Sequence, residues 1–533
     1  MPMHKTILIH HDNVPNTIGI GKIKFDYTQS SEIPNLDTYI STEILPILKE
    51  YNLIFIKDNL SSSYLELYGL IVAYHIRLSE TLGNTRYVPI VILGDIDAST
   101  LNKLVPMSNI LFSKNIYLES NTVETIERYK RKMLSALSEE EYQTHFLNRI
   151  SIEPPENSTN HNIANNWAID RWARFVGAKE SDSIEANSKK IEHMLYFKYL
   201  LALNPIVASK GIKHIPKATK GNGKILYIDD EWDKGWKDIF VSYFQTNQSI
   251  EFQTFEYDFT NKNVYTLQSD INTKVAEFYP DIVLLDLRLL SNDHTDTNRD
   301  DISKFSGVQI AKKIKEINPG IQIIMLTATG NSLILEELYK HGILGYIKKE
   351  HPEDIHLKTK DNIMKLAELV SLGFEKKYLK EIWEIQNNML EILKKYTHND
   401  DKIKEKYEKI QYEIDIMYEI LDSNLENKLK FSLLTMFKVL ELLTDIHYDT
   451  NNKGAHAKIT FILKSIELSG GKTDITNDVS KLVCTRNGLI HSDNPRNECK
   501  DNIQKPLDTE YLIKWFKIIA ECIPKLHTQK NNS

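Results

Sequence analysis

From residue 224 to residue 350 the chain alternates short runs of β-branched residues with amphipathic stretches. "KILYID", "IEFQTFEY", "DIVLLDL", "IQIIML" and "LGYIKK" read as strands. Their near-continuous apolar character predicts a parallel sheet covered on both faces. Between the third and fourth runs, "SGVQIAKKIKEINPG" spaces Val308, Ala311, Ile314 and Ile317 at helical intervals, and Pro319-Gly320 ends it. The first 138 residues repeat the rhythm more loosely, with "KTILIHH", "YNLIFIKD", "VPIVILGD" and "NIYLES" as strands and "YLELYGLIVAYHIRLS" as a helix. A Pro- and Ser/Asn-rich stretch then leads into helical patterns carrying Trp167, Ile169, Trp172 and Phe175, expected to pack against a neighbouring domain. Beyond about residue 370 strand signals vanish and long charged-apolar helices follow, one of them announced by a Ser423 to Glu426 capping-box spacing. The expected architecture is multidomain, α/β plus all-α: an α/β domain over 1–138, a helical connector over 139–218, a second α/β domain over 219–370 and a helical bundle over 371–533.

Composition narrows the class. With 533 residues the chain exceeds a single core, and 41% hydrophobic against 26% charged residues is the balance of a packed globular protein. A formal net charge of −7 supplies no global basic field, so a nucleic-acid contact needs a local patch or a cleft built by association. The three cysteines, Cys484, Cys499 and Cys522, never stand in CxxC spacing and indicate neither a disulfide framework nor a zinc site. The first residues show no signal pattern and no window approaches the roughly 20 apolar residues of a membrane span. A cytoplasmic protein is expected.

Acidic residues fall at telling places. Asp229 and Asp230 end the first strand of the second domain, and Asp286 ends its third. Strand C-termini of an open parallel sheet form the ligand crevice, so three carboxylates converge there. Such a cluster calls for a hard cation, and Mg²⁺ with its oxygen ligands and retained waters suits it. The fourth strand ends at Thr327, and the fifth carries Tyr346 with Lys349 three residues on; Lys348 competes for the same role.

In these elements and their order, residues 219–370 resemble the receiver domain of a bacterial two-component response regulator, a (βα)5 flavodoxin-like fold. The resemblance implies that Asp286 is the phosphoacceptor and that Asp229, Asp230, Asp286 and the backbone carbonyl of Arg288 hold Mg²⁺. It makes Thr327 and Lys349 ligands of the phosphoryl oxygens, Tyr346 an aromatic switch, and a histidine kinase or phosphotransfer protein the partner. One departure is "LSNDHTDTNRDDISKF", a longer and more acidic loop after the third strand than the family's. The first domain resembles a degenerate receiver that does not accept phosphate, the other reading being an unrelated α/β sensor fold. Asp58 ends "LIFIKD", but "VILGD" stands where Thr or Ser is needed, and no Tyr-x-x-Lys closes the last strand. His10 and His11 are adjacent on a strand and so face opposite ways, which argues against a shared metal.

The bundle ends with "DVSKLVCTRNGLIHSDNP", in which Arg486, Asn487 and His491 form an Arg-Asn-x-x-x-His motif on an amphipathic helix. This resembles the HEPN helical domains, many of them ribonucleases. The resemblance implies metal-independent RNA cleavage, with His491 moving a proton, Arg486 stabilising phosphate charge and Asn487 orienting one of them. It also implies a homodimer whose paired helices build the cleft. Asn487 and His491 share a helix face, while Arg486 lies about 140° round from His491. The other reading of the motif is a structural helix, with the bundle serving dimerisation or docking. Glu441 and His456 are lesser candidates. No compact helix-turn-helix is present, so sequence-specific DNA binding is not expected.

Overall fold

The computed structural model describes residues 5–12, 19–31, 33, 35–63, 66–155, 160–178, 181–205, 221–294, 302–328, 332–352, 359–395, 401–447, 457, 459, 475–490 and 507–530. By internal packing the chain forms two compact units. One comprises residues 1–215 with 233–242 and 349–361, the other 216–232, 243–348 and 362–533.

The first unit is built on a five-stranded parallel sheet of β1 (Thr6–His10), β2 (Gly21–Lys24), β3 (Leu53–Lys57), β4 (Ile90–Leu93) and β5 (Ile116–Glu119), in the order β2-β1-β3-β4-β5. Four of these strands are the apolar runs of the sequence. The edge strand β2 is an addition: "GKIK" is short, and only Ile23 in it is buried. Helix α1 (Tyr68–Leu78) covers one face and α2 (Val123–Arg131) follows β5. Three further helices of the unit are α3 (Asn160–Val176), α4 (Asp182–His193) and α5 (Leu195–Leu203). Trp167, Ile169 and Trp172 of α3 are buried, as their spacing suggests.

A buried polar chain fastens α5 to α1. His75, fully buried, holds Asp37 Oδ1 at 3.0 Å through Nε2 and Lys198 Nζ at 3.0 Å through Nδ1. Lys198 also donates to Ser41 Oγ at 2.8 Å, and Asp37 Oδ2 accepts the Leu195 amide at 2.9 Å. Burial, followed by the charge of Lys198, brings the His75 pKa down to about 4, and burial brings Lys198 down to about 7. Both groups therefore bind fewer protons folded than unfolded, His75 between pH 6.5 and about 4 and Lys198 between 10.5 and about 7. Stability must fall as the pH drops through each window. Hydrogen exchange in α1 and α5 is expected to accelerate progressively from pH 6.5 to pH 4, after correction for intrinsic rates, with a loss of about 3 kcal/mol from the histidine. A flat profile would show that the imidazole is not held neutral.

The second unit carries a second five-stranded parallel sheet: β6 (Gly223–Ile228), β7 (Ile250–Thr254), β8 (Ile282–Asp286), β9 (Gln322–Thr327) and β10 (Gly345–Lys348), in the order β10-β9-β8-β6-β7. Read from the other edge this is the same order as in the first sheet. The intervening helices are α6 (Trp236–Phe244, shared between the units), α7 (Val264–Phe278), α8 (Ser306–Ile317) and α9 (Ser332–Lys340). All five strands are those of the sequence pattern. They are buried on both faces at β8 and β9, which is why their apolar runs are unbroken.

Helix α10 (Thr359–Glu375) leads into α11 (Tyr378–Lys395), α12 (Asp401–Asp422), α13 (Lys428–His447), α14 (Ile475–Ile490) and α15 (Thr509–Lys530). Leu379, Ile414, Leu440, Leu482 and Trp515 are among the residues of their shared core. The start of α11 is pinned beneath the N-terminal ends of the strands. Lys380 Nζ meets Asp281 Oδ1 at 2.6 Å, Asn318 Nδ2 donates to the Lys380 carbonyl at 3.1 Å, and a β-carbon on Gly320 would stand 2.3 Å from the Lys380 nitrogen. The capping box expected at Ser423 is not formed. Ser423 follows the end of α12, its Oγ accepts the Leu425 amide at 3.3 Å, and α13 starts only at Lys428. Cys484 on α14 is disulfide-bonded, where the cysteine spacing indicated no disulfide framework. No described helix is long and apolar enough to cross a membrane.

Candidate functional site

The second sheet delivers Asp229 and Asp286 to the C-terminal ends of the neighbouring strands β6 and β8. Asp229 is 0% and Asp286 2% exposed, and Thr327, the last residue of β9, is equally buried. Asp230 is half-buried. Each buried carboxylate is oriented by the chain just beyond it. The Glu231 amide donates to Asp229 Oδ1 at 2.8 Å, and the Arg288 amide donates to Asp286 Oδ2 at 2.7 Å. Arg288, whose carbonyl was expected at a metal, thus gives its own amide to Asp286.

Tyr227 locates the point where the acids meet. It lies two residues before Asp229 on β6, so period-two alternation gives both side chains one face of the sheet. The ring is fully buried, and its hydroxyl pKa is pushed well above the usual value by burial, then by Asp229, Asp286 and Asp230 in turn. Three carboxylates therefore act on one phenol. No local pattern marks this role, since a tyrosine in a strand reads as packing.

Among the described residues, no group of three or more His, Cys, Asp or Glu side chains is arranged as a ready metal cage. The buried pair Asp229 and Asp286 still fits a magnesium ion, which takes one or two carboxylates and keeps several waters. On β10, Tyr346 is half-buried, stands edge-on to Tyr339 at 6.1 Å and receives Lys365 Nζ 4.0 Å from its ring centroid. Of the two candidate lysines, Lys348 closes β10 half-buried, whereas Lys349 is 2% exposed, with its ammonium 5.5 Å from the centroid of the Trp236 ring.

The acidic loop after β8 is partly explained. Asp293, also buried, accepts the amides of Leu289, Leu290 and Ser306 at 3.1 Å each, and the Ser306 hydroxyl. It is a staple that holds the loop to the start of α8. Residues 295–301 lie outside the described residues.

The first sheet offers the contrast. Asp58 follows β3 as Asp286 ends β8, but no hydroxyl residue follows β4. Its carboxylate lies over Gly94, where a β-carbon would stand 2.2 Å from Oδ2. By register Gly94 stands opposite Asp58 as Leu326 stands opposite Asp286, and the position after it, where the second sheet has Thr327, is Asp95. Burial, with Asp95 adding to it, raises the Asp58 pKa. Tyr117 is followed three residues on by Ser120 rather than lysine. His10 Nδ1 lies 3.0 Å from the Asp12 carbonyl and His11 Nδ1 3.0 Å from the Phe25 carbonyl.

In the bundle, Arg486 Nη1 donates to Asn487 Oδ1 at 3.0 Å, and the guanidinium lies 5.0 Å from the centroid of Phe437 on α13. Helix α14 ends at Ile490; His491 and His456 lie outside the described residues.

Residues 7–119 match the family of the inactive receiver domain, iREC. Over these residues the first α/β domain is similar to inactive receivers. No curated protein matches the sequence. Among solved structures, NtrX from Brucella abortus aligns at 19% identity over 28% of this chain and 27% of its own, with a TM-score of 0.20. The isolated receiver domain of the same NtrX aligns at 20% identity over 28% of this chain and 98% of its own, with a TM-score of 0.19.

Proposed function

We propose that the chain is a phosphorylation-controlled signalling effector whose second α/β domain accepts phosphate on Asp286. The observation that carries this reading is the burial of Asp229 and Asp286 at adjacent strand ends, with Asp230 beside them, all acting on Tyr227. Buried carboxylates repel and are costly unless a cation belongs among them. Asp229, Asp230, Asp286 and the Arg288 carbonyl would hold Mg²⁺, which when bound neutralises charge on an incoming phosphoryl group. Asp286, its Oδ2 fixed by the Arg288 amide, attacks the phosphorus through its other oxygen, and the donor's imidazole or carboxylate leaves with the electrons of the broken P–N or P–O bond. Thr327 and Lys349 then take the phosphoryl oxygens, as in the receivers that the sequence resembles. The donor is a histidine kinase, a phosphotransfer protein or a small acyl phosphate. The N-terminal domain, an inactive receiver, contributes docking rather than chemistry.

For the output, the Arg-Asn-x-x-x-His resemblance supports a metal-independent endoribonuclease of HEPN type, dimeric, with Arg486, Asn487 and His491 in the cleft. The second reading, a phospho-dependent docking or dimerisation module with a non-catalytic bundle, draws support from Arg486 itself. Its guanidinium is half-buried on Phe437 and bonded to Asn487, an arginine engaged in holding two helices.

Labelled RNA incubated with the full chain, with and without acetyl phosphate and Mg²⁺, separates the two. The ribonuclease reading expects cleavage that depends on the phosphodonor and drops by about a hundredfold or more in His491→Ala. Cleavage that survives this substitution removes the assigned site. No cleavage, with a change of oligomeric state on phosphorylation, establishes the docking reading.

A further inference from the structure

Immediately after β10 come Lys349 and Glu350, each 2% exposed. A carboxylate buried this deeply requires partners. Glu350 Oε1 accepts the indole N–H of Trp172 at 3.2 Å, and Oε2 accepts the Thr359 hydroxyl at 2.8 Å. Arg171, the neighbour of Trp172 on α3, interacts electrostatically with the same carboxylate. Trp172 meets Trp236 edge-on at 5.5 Å, and Trp236 in turn carries the Lys349 ammonium over its ring. The indole N–H of Trp236 donates to Asn165 Oδ1 at 2.6 Å. Asn165 and Trp172 stand seven residues apart, two helical turns, and so lie on one stripe of α3. Ile169 lies between them, 3.1 Å from where a β-carbon on Gly235 would stand. One face of a connector helix therefore holds both the chain around Trp236 and the chain around Lys349, all within the first unit.

We propose that Trp172 and Glu350 are positioning residues for phosphoryl transfer: α3 grips Glu350, and Glu350 fixes the peptide that carries Lys349. This rests on the reading of Asp286 as phosphoacceptor. A lysine that must meet a transferring phosphoryl group is useful only if its main chain is held to a fraction of an ångström. Hydrogen bonds to a charged acceptor are the stronger kind, and here two converge on the residue next to that lysine. Coupling of this sort is reciprocal. If α3 sets where Lys349 stands, engagement of Lys349 by phosphate changes the grip on α3, and the connector senses the phosphorylation state.

The test uses the full chain and two substitutions. Trp172→Phe keeps the ring and deletes the donor; Glu350→Gln keeps the shape and deletes the charge. Trp172→Phe is expected to speed hydrogen exchange around residues 359–361 and in α3 about tenfold. It should slow phosphorylation by acetyl phosphate about fivefold while Mg²⁺ affinity stays within about twofold. Glu350→Gln should fall between the variant and the parent on both readouts. Phosphorylation of the parent chain should itself alter exchange in α3. Parallel loss of Mg²⁺ affinity and thermal stability would mean a merely structural contact and would overturn the proposal. So would unchanged phosphorylation in both variants of a parent that does accept phosphate. A parent that accepts no phosphate, while Trp172→Phe still loosens α3, would instead sink the phosphoacceptor reading and leave the grip as an architectural contact.

Discussion

Asp286→Asn, treated with acetyl phosphate and Mg²⁺, gains no acid-labile phosphate, a complete loss rather than a reduction. The amide is nearly isosteric and its oxygen still accepts the Arg288 amide, so the β8 turn keeps its geometry. What disappears is the anionic nucleophile. A second consequence separates chemistry from damage. Asp286 is buried with Asp229 and Asp230 acting on the same phenol, and removing one of three like charges relieves repulsion. Without Mg²⁺ the variant should therefore melt at a higher temperature than the parent, by the equivalent of about 1 kcal/mol. A variant that melts lower would show that the carboxylates are not crowded.

Gly307→Ala has the next largest expected effect. Gly307 opens the first turn of α8, and a β-carbon there would stand 2.3 Å from the Asp286 carbonyl and 2.7 Å from that of Leu287. Neither neighbour is a flexible side-chain end; both are backbone. The Gly307 amide donates to the Leu287 carbonyl at 3.1 Å, so helix and strand end are already joined at their closest approach. One methyl must push α8 off the sheet or displace Asp286. A destabilisation of about 1–3 kcal/mol is expected, together with a phosphorylation rate reduced by at least about tenfold. Chemical denaturation and the rate with acetyl phosphate check the two halves. Gly69 repeats the device in the first domain, where a β-carbon would stand 2.0 Å from the Lys57 carbonyl. Gly69→Ala is then expected to cost stability alone, since the proposed function gives Asp58 no phosphate to accept.

The second sheet was legible because its strands are buried on both faces and so appear as unbroken apolar runs. The position of Asp229 and Asp286 was legible because the end of an apolar run marks the C-terminal rim of such a sheet. The edge strand β2 was not, since a four-residue strand with one buried side chain leaves too little alternation to read. The Ser423 spacing misled for a related reason. A hydroxyl five residues before the next helix satisfies a turn as well as a cap, and only the backbone decides. The partners of buried polar groups were invisible throughout. Trp172 and Glu350 are 178 residues apart, Lys198 and His75 123 apart, and nothing local to any of them marks the pairing. Asp293 read as one more acid in a charged loop, yet it is buried and saturated with donors. Arg486 and Asn487 were placed on a helix from their neighbours alone, and α14 carries them. Their contact with each other and with Phe437 could not be read from spacing.

The most direct test is a peptide map of the parent chain after acetyl phosphate and Mg²⁺. One phosphoryl group, labile to acid and base and lost on omission of Mg²⁺, should appear in the peptide containing Asp286 and not in that containing Asp58. An unmodified chain, or a phosphate carried on any other residue, would contradict the reading of these carboxylates as a phosphate-accepting switch.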